Sequence, residues 1–398
     1  MTADRRNARP DLVRGMPWPE GANRPLVTPL QPSVVYTSDS VDDLNAQYEG
    51  QVAGFTYSRE GHPNAAVLAS KIDGMEGASG GMLTGSGMGA VSAVLLGVLK
   101  AGDHMIGGDQ LYGRSLRLMS EDLPRFGVET SFVDPTDATS IEAAIRPNSR
   151  LILVEVVSNP TLRIADMDTI YAIAQRHNLL VVVDNTFTTP RAYRPFDHGA
   201  DIVLHSVTKL LAGHSDAMLG YVAARDPDLA QSIWNVIVTM GFTASPYDCW
   251  MAERGLYTFD MRFERACANA AGIADALGNM PGVVRVLYPG REDHPDRARA
   301  RALLEADGNM VSFEIAGGHA AAQKLTESTE LAFAPTLGDI GTTLSHPASS
   351  SHRGLSATAR AELGMSDGFF RLSVGCEDAD RLVDGLRTAV AASQHGQP

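Results

Sequence analysis

Asp201-Ile202-Val203-Leu204-His205-Ser206-Val207-Thr208-Lys209 holds the densest information in the chain. Its first half is a continuous apolar run, the pattern of a strand buried on both faces. Its second half delivers Ser206, Thr208 and Lys209 to the strand's carboxyl end, where open α/β sheets bind their ligands. Unpaired lysine is almost never interior, so burial preference does not account for Lys209. Two hydroxyls flanking it suit a phosphate, and an amine beside a phosphate suits a Schiff base with pyridoxal phosphate. Spacing alone admits a blander reading, a strand that ends in a surface lysine.

The neighbouring sequence favours the first reading. Leu151-Ile152-Leu153-Val154, Leu179-Leu180-Val181-Val182-Val183 and Gly220-Tyr221-Val222-Ala223-Ala224 are further unbroken apolar runs. The amphipathic spacing of Asp168–His177 predicts a helix between two of them, and such alternation predicts a doubly wound α/β domain with a largely parallel sheet. Asp184 follows one run, 25 residues before Lys209. A carboxylate there is placed to hold a proton on a pyridine nitrogen; by itself it would read as a helix cap. Thr84-Gly85-Ser86-Gly87-Met88-Gly89 opens a helix with apolar Val91, Leu95, Leu96 and Leu99. A helix N-terminus of this kind attracts phosphate, although the turn is neither a P-loop nor a good Rossmann fingerprint.

Outside this region the pattern changes. Residues 1–60 contain Pro10, Pro17, Pro19, Pro25, Pro29 and Pro32 and little helical periodicity. They read as an extended arm that needs another subunit to lie across. Residues 61–256 form the large domain. Residues 257–398 read as a smaller α+β domain, with helices over 263–277 and 298–306. Half-exposed strands at Met310–Ile315 and Phe370–Val374 and a closing helix over 379–391 complete it, and the tail from Ser393 is expected to fray. The arginine-rich stretch 296–301 reads as a solvated helix face.

Composition excludes other classes. The chain has 398 residues and a formal net charge of −14, against a basic nucleic-acid binder. Three cysteines without a close pair argue against a disulfide framework or a cysteine zinc site, and no metal is expected. No run of about 18 apolar residues occurs, so a cytoplasmic protein without membrane contact is expected.

Taken in order, Tyr57-Ser58-Arg59, Ser86-Gly87-Met88, Tyr112-Gly113, Val182-Val183-Asp184-Asn185-Thr186, Ser206-Val207-Thr208-Lys209 with Gly213-His214-Ser215-Asp216, and Arg371-Leu372-Ser373-Val374-Gly375 identify a resemblance. They resemble the Cys/Met-metabolism, or trans-sulfuration, family of fold-type-I pyridoxal-phosphate enzymes from about Pro29 to Leu386. The resemblance implies a mainly parallel seven-stranded sheet in the large domain, and pyridoxal 5'-phosphate held covalently by Lys209. It implies that Asp184 pairs with the ring nitrogen and that Ser206, Thr208, Gly87 and Met88 hold the phosphate. Tyr57 and Arg59 would reach the phosphate of a neighbouring subunit in an active dimer or homotetramer. Tyr112 would stack on the ring and act as acid and base, Asn159 would lie near the ring oxygen, and Arg371 would clamp the substrate carboxylate.

The implied activity is γ-elimination from a γ-substituted amino acid, releasing 2-oxobutanoate, ammonia and the leaving group. The alternative is γ-replacement of the cystathionine γ-synthase or O-acetylhomoserine sulfhydrylase type; a non-catalytic phosphate-ligand binder is the reading from another class. The chain departs from the family at Arg114, which would put a charge near the leaving group, and at Pro335-Thr336-Leu337-Gly338-Asp339. Cystathionine-handling members often have a glutamate where Pro335 stands. Thr336 joins Arg114, Asn159 and Arg371 as an expected substrate contact. Methionine, O-acyl homoserines and canavanine-like oxyguanidines all remain as substrates.

Overall fold

A computed structural model describes residues 23–394. Pro10, Pro17, Pro19 and the last four residues of the expected frayed tail lie outside them. Seven strands form the large sheet: β1 (Met82–Thr84), β2 (His104–Gly108), β3 (Glu129–Val133), β4 (Ser149–Glu155), β5 (Leu180–Asp184), β6 (Ile202–Ser206) and β7 (Gly220–Ala224). Their order is β1-β7-β6-β5-β4-β2-β3, and β7 alone runs against the rest.

The unbroken apolar runs follow from helices covering both faces. Along β5, Val181 and Val183 enter one core with Leu68, Ile72, Phe259 and Phe263. Val182 enters the opposite core with Val91, Leu95 and Ile233. Strands β1, β2 and β3 carried no clear signal in the sequence. β1 has three residues, β2 ends in two glycines, and β3 lies at the sheet's edge.

The second sheet has the order β10-β11-β12-β9-β8. Its strands are β8 (Val283–Leu287), β9 (Met310–Ile315), β10 (Ala332–Phe333), β11 (Thr343–Ser345) and β12 (Phe369–Ser373). Helices Phe259–Gly278, Gly318–Ser328 and Ala379–Gln394 cover one face. The alternation expected to mark half-exposed strands has a different cause. Ser312 and Arg371, on the non-core face, are buried against the Asn159-Pro160 loop after β4 rather than solvated. Ser312 Oγ donates to Pro160 O at 2.6 Å.

Two further expectations are corrected. Helix Ala379–Gln394 includes Ser393, whose burial in the small-domain core side keeps it from fraying. The arginine-rich stretch is not a free solvated face: Arg297 pairs with Asp307 at 3.1 Å, and Arg299 donates to Ile164 O at 2.8 Å, tying the stretch to the segment after β4. Within the described arm, Ser40 caps a helix, Val41–Tyr48, with Asp42 and Asp43 in its first turn; acidic residues there favour a helix that apolar periodicity does not announce. This helix buries none of its residues. Among the described residues no helix is long and apolar enough to cross a membrane, and no cluster of metal-ligating side chains occurs.

Candidate active site

Strand alternation builds the site. Leu151 and Leu153 of β4, Val182 of β5, and Ile202 and Leu204 of β6 all enter the core beneath helix Gly87–Val98. Two residues further on, the same face receives Glu155, Asp184 and Ser206 at the carboxyl ends of the strands. The helix points its N-terminus at them, with Ser86 Oγ accepting from Gly89 N at 3.0 Å.

A cavity of about 220 Å³ opens there. Ten of the expected residues line it: Gly87, Met88, Tyr112, Asn159, Asp184, Ser206, Thr208, Lys209, Thr336 and Arg371. Lys209 Nζ lies 3.4 Å from Thr336 Oγ1. Burial, and then the charge of Arg371, hold its amine below the usual lysine range. Asp184 is pushed up by burial, opposed by Thr186, whose N–H and Oγ1–H donate to Oδ1 at 3.0 and 2.5 Å. Thr186 Oγ1 in turn accepts from Ser206 N at 2.8 Å. Thr208 Oγ1 bridges Leu219, donating to its carbonyl at 3.1 Å and accepting from its amide at 2.9 Å. Arg371 is fully buried, donating to Asn159 Oδ1 at 2.5 Å and to Thr336 O at 3.2 Å.

Three expected residues stand apart from the cavity. Arg114 is exposed on the short helix Gly113–Arg117, and Ser115 faces the cavity instead. Arg59 lines a separate hollow with Phe55 and Trp234, its guanidinium 5.3 Å from the ring of Tyr57, which does not line the cavity either. Glu155 is the residue that the sequence reading missed. It ends an apolar strand as Asp184 and Ser206 do, and that position was the available signal. Thr186 was visible in its motif but given no role, while Ser350 and Ser351 reach the cavity from a loop with no pattern to announce them.

The residues present fit pyridoxal phosphate. At Gly87 a Cβ would stand 2.7 Å from Ser206 Cβ, so the absence of a side chain keeps open a cradle between a hydroxyl and a helix N-terminus. A carboxylate and an amine of lowered basicity share the cavity with it.

Comparison with known proteins gives the same picture. The family described as "Cys/Met metabolism PLP-dependent enzyme" matches residues 12–391. The L-methionine gamma-lyase of Fusobacterium nucleatum subsp. nucleatum is 39% identical over 91% of this chain and 92% of its own. The cystathionine beta-lyase MetC of Bacillus subtilis is 37% identical over 93% of each. A crystal structure of cystathionine gamma synthase from Xanthomonas oryzae pv. oryzae, in complex with aminoacrylate and cysteine, superposes with a TM-score of 0.88. It is 35% identical and covers 93% of this chain and 94% of that one.

Proposed function

The chain belongs to the Cys/Met-metabolism family of pyridoxal-phosphate-dependent enzymes, and on that premise we propose that it catalyses γ-elimination from a γ-substituted amino acid. One water is consumed, and the products are 2-oxobutanoate, ammonia and the departing γ-group with its added proton. The observation that carries this reading is Lys209, an amine of lowered basicity in one cavity with Tyr112, Asp184 and Arg371.

Lys209 would bind the cofactor, Asp184 would pair with its ring nitrogen, and Ser206, Thr208 and the main chain at Gly87 and Met88 would hold its phosphate. When bound, pyridoxal phosphate withdraws electrons from the α- and β-carbons of the attached amino acid. Arg371 holds the substrate carboxylate, its guanidinium oriented by Asn159 and the Thr336 carbonyl. Lys209 Nζ takes the α-proton and serves the β-carbon in turn, for which a neutral amine near the operating pH is needed. Tyr112 Oη supplies a proton to the leaving atom.

The wall of the cavity supports a leaving group without charge. Met88, Val91, Met218, Pro335 and Leu337 line it, and Arg114 does not. A thioether such as methionine fits that apolar wall, and Pro335 offers no carboxylate to a substrate with a distal ammonium. Gamma-replacement, in which a thiol captures the unsaturated product of elimination, uses the same residues and is the second reading.

Tyr57 and Arg59, outside their own cavity, and the exposed Val34, Val35 and Val52 of the arm support a homo-oligomer in which they complete the site of another copy. Purified enzyme given methionine, O-acetylhomoserine or canavanine, with and without added thiol, tests the function. 2-Oxobutanoate without thiol supports elimination, and product only with thiol supports replacement and contradicts it.

A further inference from the structure

Glu155 lies in the cavity, at the last position of β4, with its Cα in register with Asp184 on β5. Parallel neighbours in register present their side chains side by side, so two carboxyl groups meet at the strand ends. Glu155 is buried, and burial followed by the Asp184 charge pushes it well above the usual carboxylate range. Its Oε2 is buried without a partner. Such an arrangement costs stability, and packing alone would be served better by an apolar side chain.

Its one hydrogen bond reaches the site from the other side. Glu155 Oε1 accepts from the main-chain N–H of Tyr112 at 2.8 Å. Tyr112 precedes the five-residue helix Gly113–Arg117, and no side chain caps that helix. Tyr112 is 42% exposed, so packing alone does not enclose it. The hydrogen bond from β4 holds the Tyr112 main chain directly, next to Leu111, which is buried in the core of the large sheet.

We propose that Glu155 is a positioning residue of the reaction: its carboxyl group anchors the Tyr112 main chain to the end of β4 and so sets the Tyr112 ring in the cavity that Lys209 and Arg371 also line. The role rests on the γ-elimination reading only for the chemistry given to Tyr112. Replacing the acceptor by one of equal length preserves the anchor, and removing or shortening it frees the ring.

The test is a double-mutant cycle on the holoenzyme. Glu155→Ala lowers kcat by about 30-fold or more, on the scale that misplacement of a reacting group produces. Combined with Tyr112→Phe it lowers kcat no further than Tyr112→Phe does alone. Glu155→Gln, which keeps an oxygen for the Tyr112 N–H, recovers most of the loss. The induced visible circular dichroism of the bound cofactor, which reports the ring stacked on it, weakens in Glu155→Ala and returns in Glu155→Gln. If Glu155→Ala does not fold, Glu155→Asp, shorter by one methylene, is read in its place.

Additive losses in the double variant, or an unchanged dichroism band in Glu155→Ala, overturn the proposal. If the wild-type enzyme forms no 2-oxobutanoate from any amino acid, the γ-elimination reading fails, while the dichroism still decides the role of Glu155.

Discussion

Arg371 Nη1 donates to Asn159 Oδ1 at 2.5 Å, joining β12 of the small sheet to the loop that follows β4 of the large one. The bond fixes a cation that is fully buried and has its Nε without a partner. An unsatisfied buried guanidinium edge has a use if a carboxylate arrives to meet it. On the proposed function, the substrate site lies between the two sheets, and the small sheet supplies its anion clamp.

Arg371→Lys keeps a charge but loses the planar fork. One charge-assisted hydrogen bond lost corresponds to about a 10- to 100-fold fall in kcat/KM, expressed mainly as a higher KM. Steady-state kinetics on any accepted substrate checks this. An equal fall in kcat with KM unchanged would place Arg371 in a different role.

The lowered basicity of Lys209 has a measurable sign. Capture of free pyridoxal phosphate by cofactor-free protein needs the neutral amine. Its rate therefore rises with pH and levels off below the ordinary lysine range. Burial is the larger cause and Arg371 the second, so Arg371→Met moves the midpoint upward and slows capture at pH 8. The same shift affects stability: the unfolded chain binds this proton more tightly, so the cofactor-free protein gains stability as pH rises from the folded value toward the ordinary one. Stopped-flow absorbance against pH reads the first effect.

Gly87→Ala puts a Cβ 2.7 Å from Ser206 Cβ and 3.1 Å from its Cα. The second atom is backbone and cannot swing away. Cofactor affinity falls by about 10-fold or more, and the overpacking against Ser206 costs stability as well. Equilibrium dialysis with pyridoxal phosphate measures the affinity, and circular dichroism the stability.

If Tyr57 and Arg59 complete the site of another copy, two inactive variants can repair each other. Arg59→Ala mixed with Lys209→Ala after reversible dissociation recovers up to about one quarter of wild-type activity per dimer, as random pairing places both defects in one site of half the dimers. No recovery would indicate that each chain completes its own site.

The large sheet was legible wherever both faces are covered, because an apolar run then needs no partner sequence to be recognised. Lys209, Asp184 and Ser206 followed from such runs, each standing just past or at the end of one. Glu155 stood in the same place and was passed over, since nothing in the sequence tells a buried carboxyl from an exposed one at a strand end. The small sheet misled for a physical reason: polar residues facing another domain have the same spacing as polar residues facing water. Arg114 and Ser115 differ by one position on a five-residue helix, and only the packing of that helix decides which faces in. Tyr57 and Arg59 do not line the cavity of their own chain, and their part in the site rests on the proposed homo-oligomer.

The central claim is that Lys209 holds pyridoxal phosphate. Reduction of the holoenzyme with borohydride, followed by proteolysis and mass spectrometry, tests it most directly. The account predicts the added pyridoxyl phosphate on the peptide containing Lys209, with no label in Lys209→Ala. Stoichiometric label on another lysine, or full 2-oxobutanoate formation by the Lys209→Ala variant, would contradict it.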